Sequence, residues 1–204
     1  MRARSPEYLI NEAARLLAEI PSATWDGHEL PVPIDAITED HFGLLIQESV
    51  DIAAAFPEQA PAGGAPASGA LIPERAEIWV DATEVSRSPR RRRDAVAHEL
   101  GHWILHRGPE TLLCATSTIE PAATVTRPEG AGPRSWPWDP RPAAPQIEWE
   151  ANLFGGALLL PPWLVREVWE RSPSLEALSE AFDCTLPALD GGWQEHYGFV
   201  AGDG

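Results

Sequence analysis

The segment His98-Glu99-Leu100-Gly101-His102 constrains this chain more than any other part of its sequence. In a helix, positions i and i+4 lie one turn apart on the same face, so His98 and His102 can offer two imidazole nitrogens to one metal ion. Glu99 then lies at the edge of the site without binding the ion. This spacing is typical of zinc metallopeptidases. It predicts a helix starting near residue 89, with His98 and His102 as ligands of Zn²⁺ and Glu99 as the catalytic base.

The residues around the motif favour a helix that packs firmly on its neighbours. Apolar side chains recur at helical spacing at Ala95, Val96, Leu100, Trp103, Ile104 and Leu105. Gly101 costs about 1 kcal/mol relative to alanine inside a helix, so its presence indicates a specific need. We expect either another backbone or a substrate to approach closely at Gly101.

His106 continues the i, i+4 series of histidines, but its position does not suit the role of a third metal ligand. On a continuous helix it lies about 12 Å along the axis from His98, because each residue rises about 1.5 Å. One ion with bonds of about 2 Å cannot bridge that distance. His106 is therefore predicted to close the helix, where an imidazole is favoured by the C-terminal dipole.

A second helix is predicted over residues 146–160, ending before Pro161 and Pro162. It offers two carboxylates, Glu148 and Glu150, on different sides. Asn152 lies one turn after Glu148 on the same face and could brace the site from behind the ligands. A catalytic zinc needs three protein ligands and one open position. Glu148 is the favoured third ligand, and Glu150 remains the alternative.

Together the two motifs resemble those of the ImmA/IrrE family of metallopeptidases. The resemblance rests on residues 98–106 and on Glu148-Trp149-Glu150-Ala151-Asn152-Leu153-Phe154, followed by an apolar run into Pro161. It implies a zincin-like fold and supports Glu148 as the metal ligand. It also implies an intracellular regulatory role, in which a DNA-binding repressor is cleaved during a stress response or the control of a mobile element.

The charge of the chain argues against direct binding of nucleic acid. The formal net charge is −16 and the isoelectric point about 4.6, whereas phosphate contacts need a concentrated basic surface. The one basic cluster is the four arginines at residues 90–93, just before the motif. They could dock an acidic partner or a phosphate backbone, but a solvated helix start that offsets the acidic surroundings is favoured.

Cysteine usage and hydropathy predict a cytoplasmic protein. Cys114 and Cys184 make no disulfide framework, as expected in a reducing compartment. Cys114 could occupy the open metal position as an inhibitory thiolate, although a small apolar role is favoured. Neither a signal peptide nor a membrane-spanning stretch is predicted, so no membrane partner is expected.

The expected architecture is α+β. A zincin-like metallopeptidase domain with a small antiparallel or mixed sheet should span residues 1–170, and a C-terminal helical appendage residues 171–204. Strands are predicted at residues 44–47 and 77–81, and helices at residues 6–20, 34–40, 163–171 and 175–182. Residues 57–69 and 120–145 are predicted as flexible loops. The last two helices, with residues 185–189, could form a helix-turn-helix-like hairpin, which lacks basic residues for DNA.

The sequence thus predicts a zinc-dependent endopeptidase that cleaves a cytoplasmic transcriptional repressor or antitoxin. We expect an extended substrate segment to pair with an edge strand, for which Glu77–Asp81 is the candidate. His196 and Tyr197 are the candidate donors to the oxyanion. The alternative is a metal-containing regulatory protein that binds partners without cleaving them.

Overall fold

The fold is α+β, with a four-stranded mixed sheet and helices packed on it. A computed structural model describes residues 4–57, 67–106, 112–115 and 146–185. The strands are β1 (Leu45–Ser49), β2 (Ala67–Ile72), β3 (Glu77–Asp81) and β4 (Leu112–Ala115). The helices are α1 (Pro6–Glu19), α2 (Ile34–Ala36), α3 (Ile52–Ala55), α4 (Ala82–Arg87), α5 (Pro89–Leu105), α6 (Gln146–Leu159), α7 (Pro162–Arg171) and α8 (Leu175–Phe182). The predicted loop at 120–145, residues 186–189 of the predicted hairpin, and His196 and Tyr197 lie outside the described residues.

The order of strands corrects one prediction. The sheet runs β1-β3-β2-β4, with β1 parallel to β3 and the other two pairs antiparallel. Glu77–Asp81 is therefore an internal strand, and its prediction as an edge was wrong. Its alternation of buried and half-buried residues, with Ile78 and Val80 inside, shows which face is covered. An alternating burial pattern shows which face of a strand is covered, but it does not show whether the strand has a neighbour on one side or on both. Among the strands that the structure describes, β1 and β4 form the edges of this sheet.

Strand β2 corrects a second prediction. Residues 67–69 were predicted as the end of a flexible loop, but Ala67, Ser68 and Gly69 begin this strand. A glycine is needed at position 69 because α5 packs directly on the strand there: a Cβ on Gly69 would lie 2.4 Å from Glu99 Oε1. Alanine, serine and glycine are typical of loops in a sequence, which is why the strand was missed. Residues 58–66 are not among those described.

Local sequence signals account for the ends of the main helices. Ser5 caps α1 by accepting a hydrogen bond from the backbone N–H of Tyr8, and Pro6 occupies the first turn. Prolines likewise open α5 and α7. These four helices, α1, α5, α6 and α7, begin and end within one or two residues of their predicted positions, with Pro161 lying between α6 and α7.

The closest helix pair in the fold is α5 and α6. A Cβ on Gly101 of α5 would lie 2.8 Å from the carbonyl oxygen of Ala151 on α6. In the reverse direction, a Cβ on Gly155 of α6 would lie 2.7 Å from the carbonyl oxygen of Ala97 on α5. Each helix therefore presents a glycine to the backbone of the other. Of the two reasons considered for Gly101, the structure shows the approach of another backbone.

The arginines at residues 90–93 tie the start of α5 to the rest of the fold. Arg90 bonds to Ser179 Oγ and Asp183 at the end of α8. Arg92 pairs with Asp35 of α2 and with Glu48 of β1, and Arg93 donates to a backbone carbonyl, that of Val32. These guanidinium groups are thus engaged by acidic and polar groups of the chain itself.

The predicted C-terminal appendage joins the common core as far as it is described. Leu178 and Phe182 of α8 are buried with α1, α5 and α6 in one apolar cluster, which also includes Leu164 and Val165 of α7. Among the described helices, none combines the length and the apolar character that crossing a bilayer requires.

Replacing Gly155 with alanine should destabilise the protein. Overpacking against a backbone that cannot move costs about 1–3 kcal/mol, while the gain in helix propensity is only about 1 kcal/mol. The added Cβ would lie under 3.0 Å from three backbone atoms of Ala97 and His98, so we expect a cost at the upper end of that range. The net loss in the free energy of unfolding of the metal-free protein, measured by urea denaturation, should then be about 2 kcal/mol. Glu170→Ala, which places alanine at an exposed position of α7, is the control and should not lower it. A Gly155→Ala variant as stable as the parent would contradict this account of the packing.

Candidate metal centre

Four side chains converge where α5, α6 and β4 meet. Each of His98, His102, Cys114 and Glu148 offers one ligand atom, and these four atoms all lie within 4.8 Å of one another. The two histidine Nε2 atoms are 3.1 Å apart, and Glu148 oxygens lie 3.4 Å from His98 Nε2 and 3.3 Å from His102 Nε2. This group could hold a metal ion. It contains the three predicted ligands, together with a cysteine that was not predicted as one.

Three of the four residues come from α5 and α6. The close packing of these two helices holds the helix faces that carry the three side chains against each other. His98 and His102 are one turn apart on α5, with their rings edge to face and the centroids 4.7 Å apart. Glu148 lies in the first turn of α6. Since Gly101 and Gly155 let the helix backbones meet, a glutamate side chain is long enough to reach both imidazoles.

Asn152 fixes the orientation of His98. Its Oδ1 contacts Nδ1 of His98, with 2.5 Å between them. An amide oxygen can only accept, so Nδ1 carries the proton and Nε2 keeps its lone pair toward the centre. The amide was expected to brace the site, and it does so through His98. Ligand histidines in metal sites are commonly held by such a partner.

Glu150 fixes His102 in the same way, through His106. Glu150 Oε2 lies 3.1 Å from His106 Nε2, and Nδ1 of His106 lies 3.2 Å from Nδ1 of His102. With a carboxylate accepting from Nε2 of a neutral His106, Nδ1 of His106 accepts from His102. This leaves Nε2 of His102 unprotonated and facing Glu148. His106 belongs to this chain of hydrogen bonds and not to the group of four.

The same contacts separate the two candidate carboxylates. Glu150 is 2 % exposed and accepts from Gln146 Nε2, Arg4 N and Arg4 Nη1, in addition to its contact with His106. Arg4 also donates to the carbonyl of Leu105, so the N-terminal segment closes over this side of the helix pair. The carboxylate of Glu150 is occupied by its hydrogen bonds with Arg4, Gln146 and His106, whereas the carboxylate of Glu148 faces the two imidazoles.

Glu99 lies beside the group of four without belonging to it. The residue is 1 % exposed, and neither carboxylate oxygen has a hydrogen-bond partner among the described residues. Only the missing side chain of Gly69 leaves room for its Oε1. Burial raises the pKa of Glu99 to about 7. An unpartnered buried carboxylate is costly, and its position next to a ligand group indicates a function.

In the metal-free protein, the pKa values of Glu148 and His102 are shifted because these side chains lie close together and are buried. Burial alone would raise the pKa of Glu148, but hydrogen bonds with His102 and His98 outweigh it and hold that pKa well below the usual range. Burial lowers the pKa of His102 to about 4. Glu148 is thus an anion that faces a neutral imidazole at ordinary pH. This is the protonation state in which both side chains bind metals.

The distances suit a small divalent cation. A tetrahedral ion with bonds of about 2.0–2.1 Å to nitrogen and oxygen separates its ligand atoms by about 3.3 Å. The separations of 3.1, 3.3 and 3.4 Å among His98, His102 and Glu148 lie close to this value. Nε2 of both histidines and the carboxylate of Glu148 face one another at these distances, an arrangement that a cation stabilises.

Cys114 lies closer to the candidate ligands than its favoured sequence interpretation indicated. It was favoured as a small apolar side chain, but its Sγ lies 3.1 Å from His98 Nε2. Burial and the nearby carboxylates of Glu99 and Glu148 raise the pKa of this thiol in the absence of a metal. The apolar run Leu-Leu-Cys-Ala at residues 112–115 is the one sequence signal for β4. A run of four is too short to place a strand or its facing side.

Comparison of the sequence with protein-family models and with curated proteins finds no match. The resemblance to the ImmA/IrrE family therefore stays a prediction that rests on the two motifs.

The two carboxylates of α6 can be separated by substitution. Glu148→Gln should lose bound metal, because an amide is a poor ligand in place of a carboxylate, whereas the matched variant Glu150→Gln should keep it. Glutamine at 150 still offers an oxygen to accept from His106. Elemental analysis after dialysis should find about one metal ion per chain in the parent protein and in Glu150→Gln. Loss of metal in Glu150→Gln alone would reverse the assignment.

Proposed function

We propose that the protein is a zinc-dependent endopeptidase in which His98, His102 and Glu148 hold the ion and Glu99 is the general base. The observation that carries this proposal is the environment of Glu99. A structural metal site has no use for a second carboxyl group that is buried, without a hydrogen-bond partner among the described residues, and accommodated by a glycine. A hydrolytic site needs one to move a proton.

The choice of zinc follows from the donor set. Two imidazole nitrogens with one carboxylate are ligands that Zn²⁺ accepts in catalytic sites with three protein ligands. When bound, zinc polarises the scissile carbonyl and lowers the pKa of water from 15.7 towards about 7.

The remaining steps belong to the side chains. Glu99 takes a proton from the attacking water and afterwards delivers it to the amine that leaves, so that the peptide bond is replaced by a carboxylate and an amine. In the metal-free protein, burial raises the pKa of Glu99 to about 7. Burial thus makes this carboxyl group more ready to accept a proton, which it must take up and give up within each turnover. His106 and Asn152 keep the two ligand imidazoles in the tautomer that faces the centre.

The proposed substrate is a cytoplasmic regulatory protein, a transcriptional repressor or an antitoxin, acting in a stress response or in control of a mobile element. This part rests on the resemblance of the two motifs. Pairing of an extended substrate segment is proposed at β4, which is an edge strand and carries Cys114 beside the ligand group. The engagement of the arginines at residues 90, 92 and 93 by the chain itself supports a protein substrate over nucleic acid. Two free cysteines support a reducing compartment.

One observation favours the second candidate, a regulatory binding protein with a structural metal. Structural zinc sites are closed by four protein ligands, and Cys114 supplies a fourth here. In that case Glu99 would have no chemical role. The two functions therefore differ in what they require of Glu99.

Replacing Glu99 with glutamine separates the two functions. We expect Glu99→Gln to retain metal and fold but to cleave the substrate about 10²–10⁴-fold more slowly, the usual contribution of a general base. Candidate substrates are the protein products of genes adjacent to its own, assayed by gel electrophoresis and mass spectrometry of the fragments. Glu167→Gln, on an exposed face of α7, is the control. Full cleavage by metal-loaded Glu99→Gln would contradict the mechanism.

Gly69→Ala offers an independent way to disturb the same carboxylate. An added Cβ would lie 2.4 Å from Glu99 Oε1 and must displace it, although Glu99 itself is intact. Cleavage should fall as in Glu99→Gln while the metal content stays the same. A regulatory binding protein would instead bind its partner equally well in the parent and in both variants.

A further inference from the structure

We propose that the thiolate of Cys114 is a fourth protein ligand of the metal ion, which closes the site in its resting state, so that the protein is latent until Cys114 withdraws. This inference rests on the proposed metal site. The proposed function leaves one coordination position of the ion open for water. Here that position is occupied by the side chain of Cys114 in the resting state.

The geometry around Cys114 Sγ carries the inference. The sulfur lies 3.1 Å from His98 Nε2 and within 4.8 Å of the ligand atoms of His102 and Glu148. A tetrahedral ion with bonds of about 2.0–2.3 Å places its ligand atoms about 3.3–3.7 Å apart. Cys114 is 4 % exposed, so its sulfur is shielded from solvent beside the three helix ligands.

The sheet is irregular at the point that directs Cys114 inward. On β2, Ala67 pairs with Ala115 and Gly69 with Cys114, so Ser68 has no partner of its own and forms a bulge. The hydroxyl of Ser68 donates to the carbonyl of Cys114. Bulges often occur beside functional sites, where they re-aim a side chain. Here the bulge lies opposite the residue that enters the ligand group.

Charge balance favours the thiolate over a neutral thiol once a metal is bound. Two neutral imidazoles, one carboxylate and one thiolate carry two negative charges, which match a divalent cation. A buried site is least costly when its charges cancel. Coordination by a divalent metal deprotonates a thiol outright, and zinc binds cysteine sulfur well.

Withdrawal of Cys114 leaves the rest of the site intact. The cysteine is on the edge strand β4, whose one neighbour among the described strands is β2. The other three ligands belong to α5 and α6 and are held by Asn152 and by the hydrogen bonds that run through His106 to Glu150. A shift of β4 would thus exchange one ligand for water without disturbing the others.

The spectrum of the cobalt-substituted protein tests the inference directly. A thiolate bound to Co²⁺ gives a charge-transfer absorption in the near ultraviolet, which nitrogen and oxygen ligands do not give. We expect this band in the parent protein at one Co²⁺ per chain. It should disappear in Cys114→Ala, with the visible bands of bound cobalt retained, and should persist in Cys184→Ala. Cys184 is the matched control because it is equally buried but lies outside the ligand group.

Zinc affinity and cleavage give two further readouts. Cys114→Ala should bind zinc at least about 10–100-fold more weakly by chelator competition, since even loss of an outer partner costs that much. It should also cleave the substrate faster than the parent. Parent protein that binds cobalt without the charge-transfer band would overturn the role of Cys114 and leave the metal site standing. Failure of the parent to bind Co²⁺ or Zn²⁺ at all would overturn both.

Discussion

The direct contact between the backbones of α5 and α6 is the constraint on which the rest of the site depends. Gly101 and Gly155 remove the two Cβ atoms that would keep the helices apart. Only at this separation does Glu148 in the first turn of α6 reach both His98 and His102. Gly69 has the corresponding role on the sheet, where it admits the carboxylate of Glu99. Three glycines thus set the positions of the groups that the proposed chemistry uses.

Hydrogen bonds from residues outside the ligand group fix the orientation of the two ligand histidines. Asn152 and Glu150 are both on α6 and act on different histidines of α5, the first directly and the second through His106. The helix that supplies the third ligand therefore also orients the first two. Arg4 neutralises Glu150 from the N-terminal segment, so the carboxylate most deeply buried on α6 is paired, as buried charges must be.

The parts of this arrangement that the sequence predicted are those that depend on local spacing. The two histidines at i and i+4 and the proline pair after α6 each act within one or two turns, so their structural effect can be predicted directly from the sequence. Glu148 lies with the two histidines and Glu150 does not, as expected from the position of Asn152 on the same face. The role of Glu148 as a zinc ligand stays a prediction.

The parts that were missed depend on contacts between distant segments. Strand β2 has a glycine at position 69 because α5 lies on it there, and nothing in the strand's own sequence shows that neighbour. The order of the strands, which makes Glu77–Asp81 internal, is likewise a property of the whole sheet. Cys114 joins the ligand group from β4, at a point where the pairing of β4 with β2 is irregular. None of these follows from periodicity along a single segment.

The central claim is that one metal ion lies between α5 and α6, and a crystal structure of the zinc-loaded protein tests it most directly. Anomalous scattering at the zinc absorption edge locates the ion without reference to the protein model. The account predicts one strong peak per chain, about 2.0–2.1 Å from Nε2 of His98 and of His102 and about 2.0–2.2 Å from an oxygen of Glu148. A peak between His106 and Glu150 instead, or no peak in fully zinc-equilibrated crystals, would contradict it.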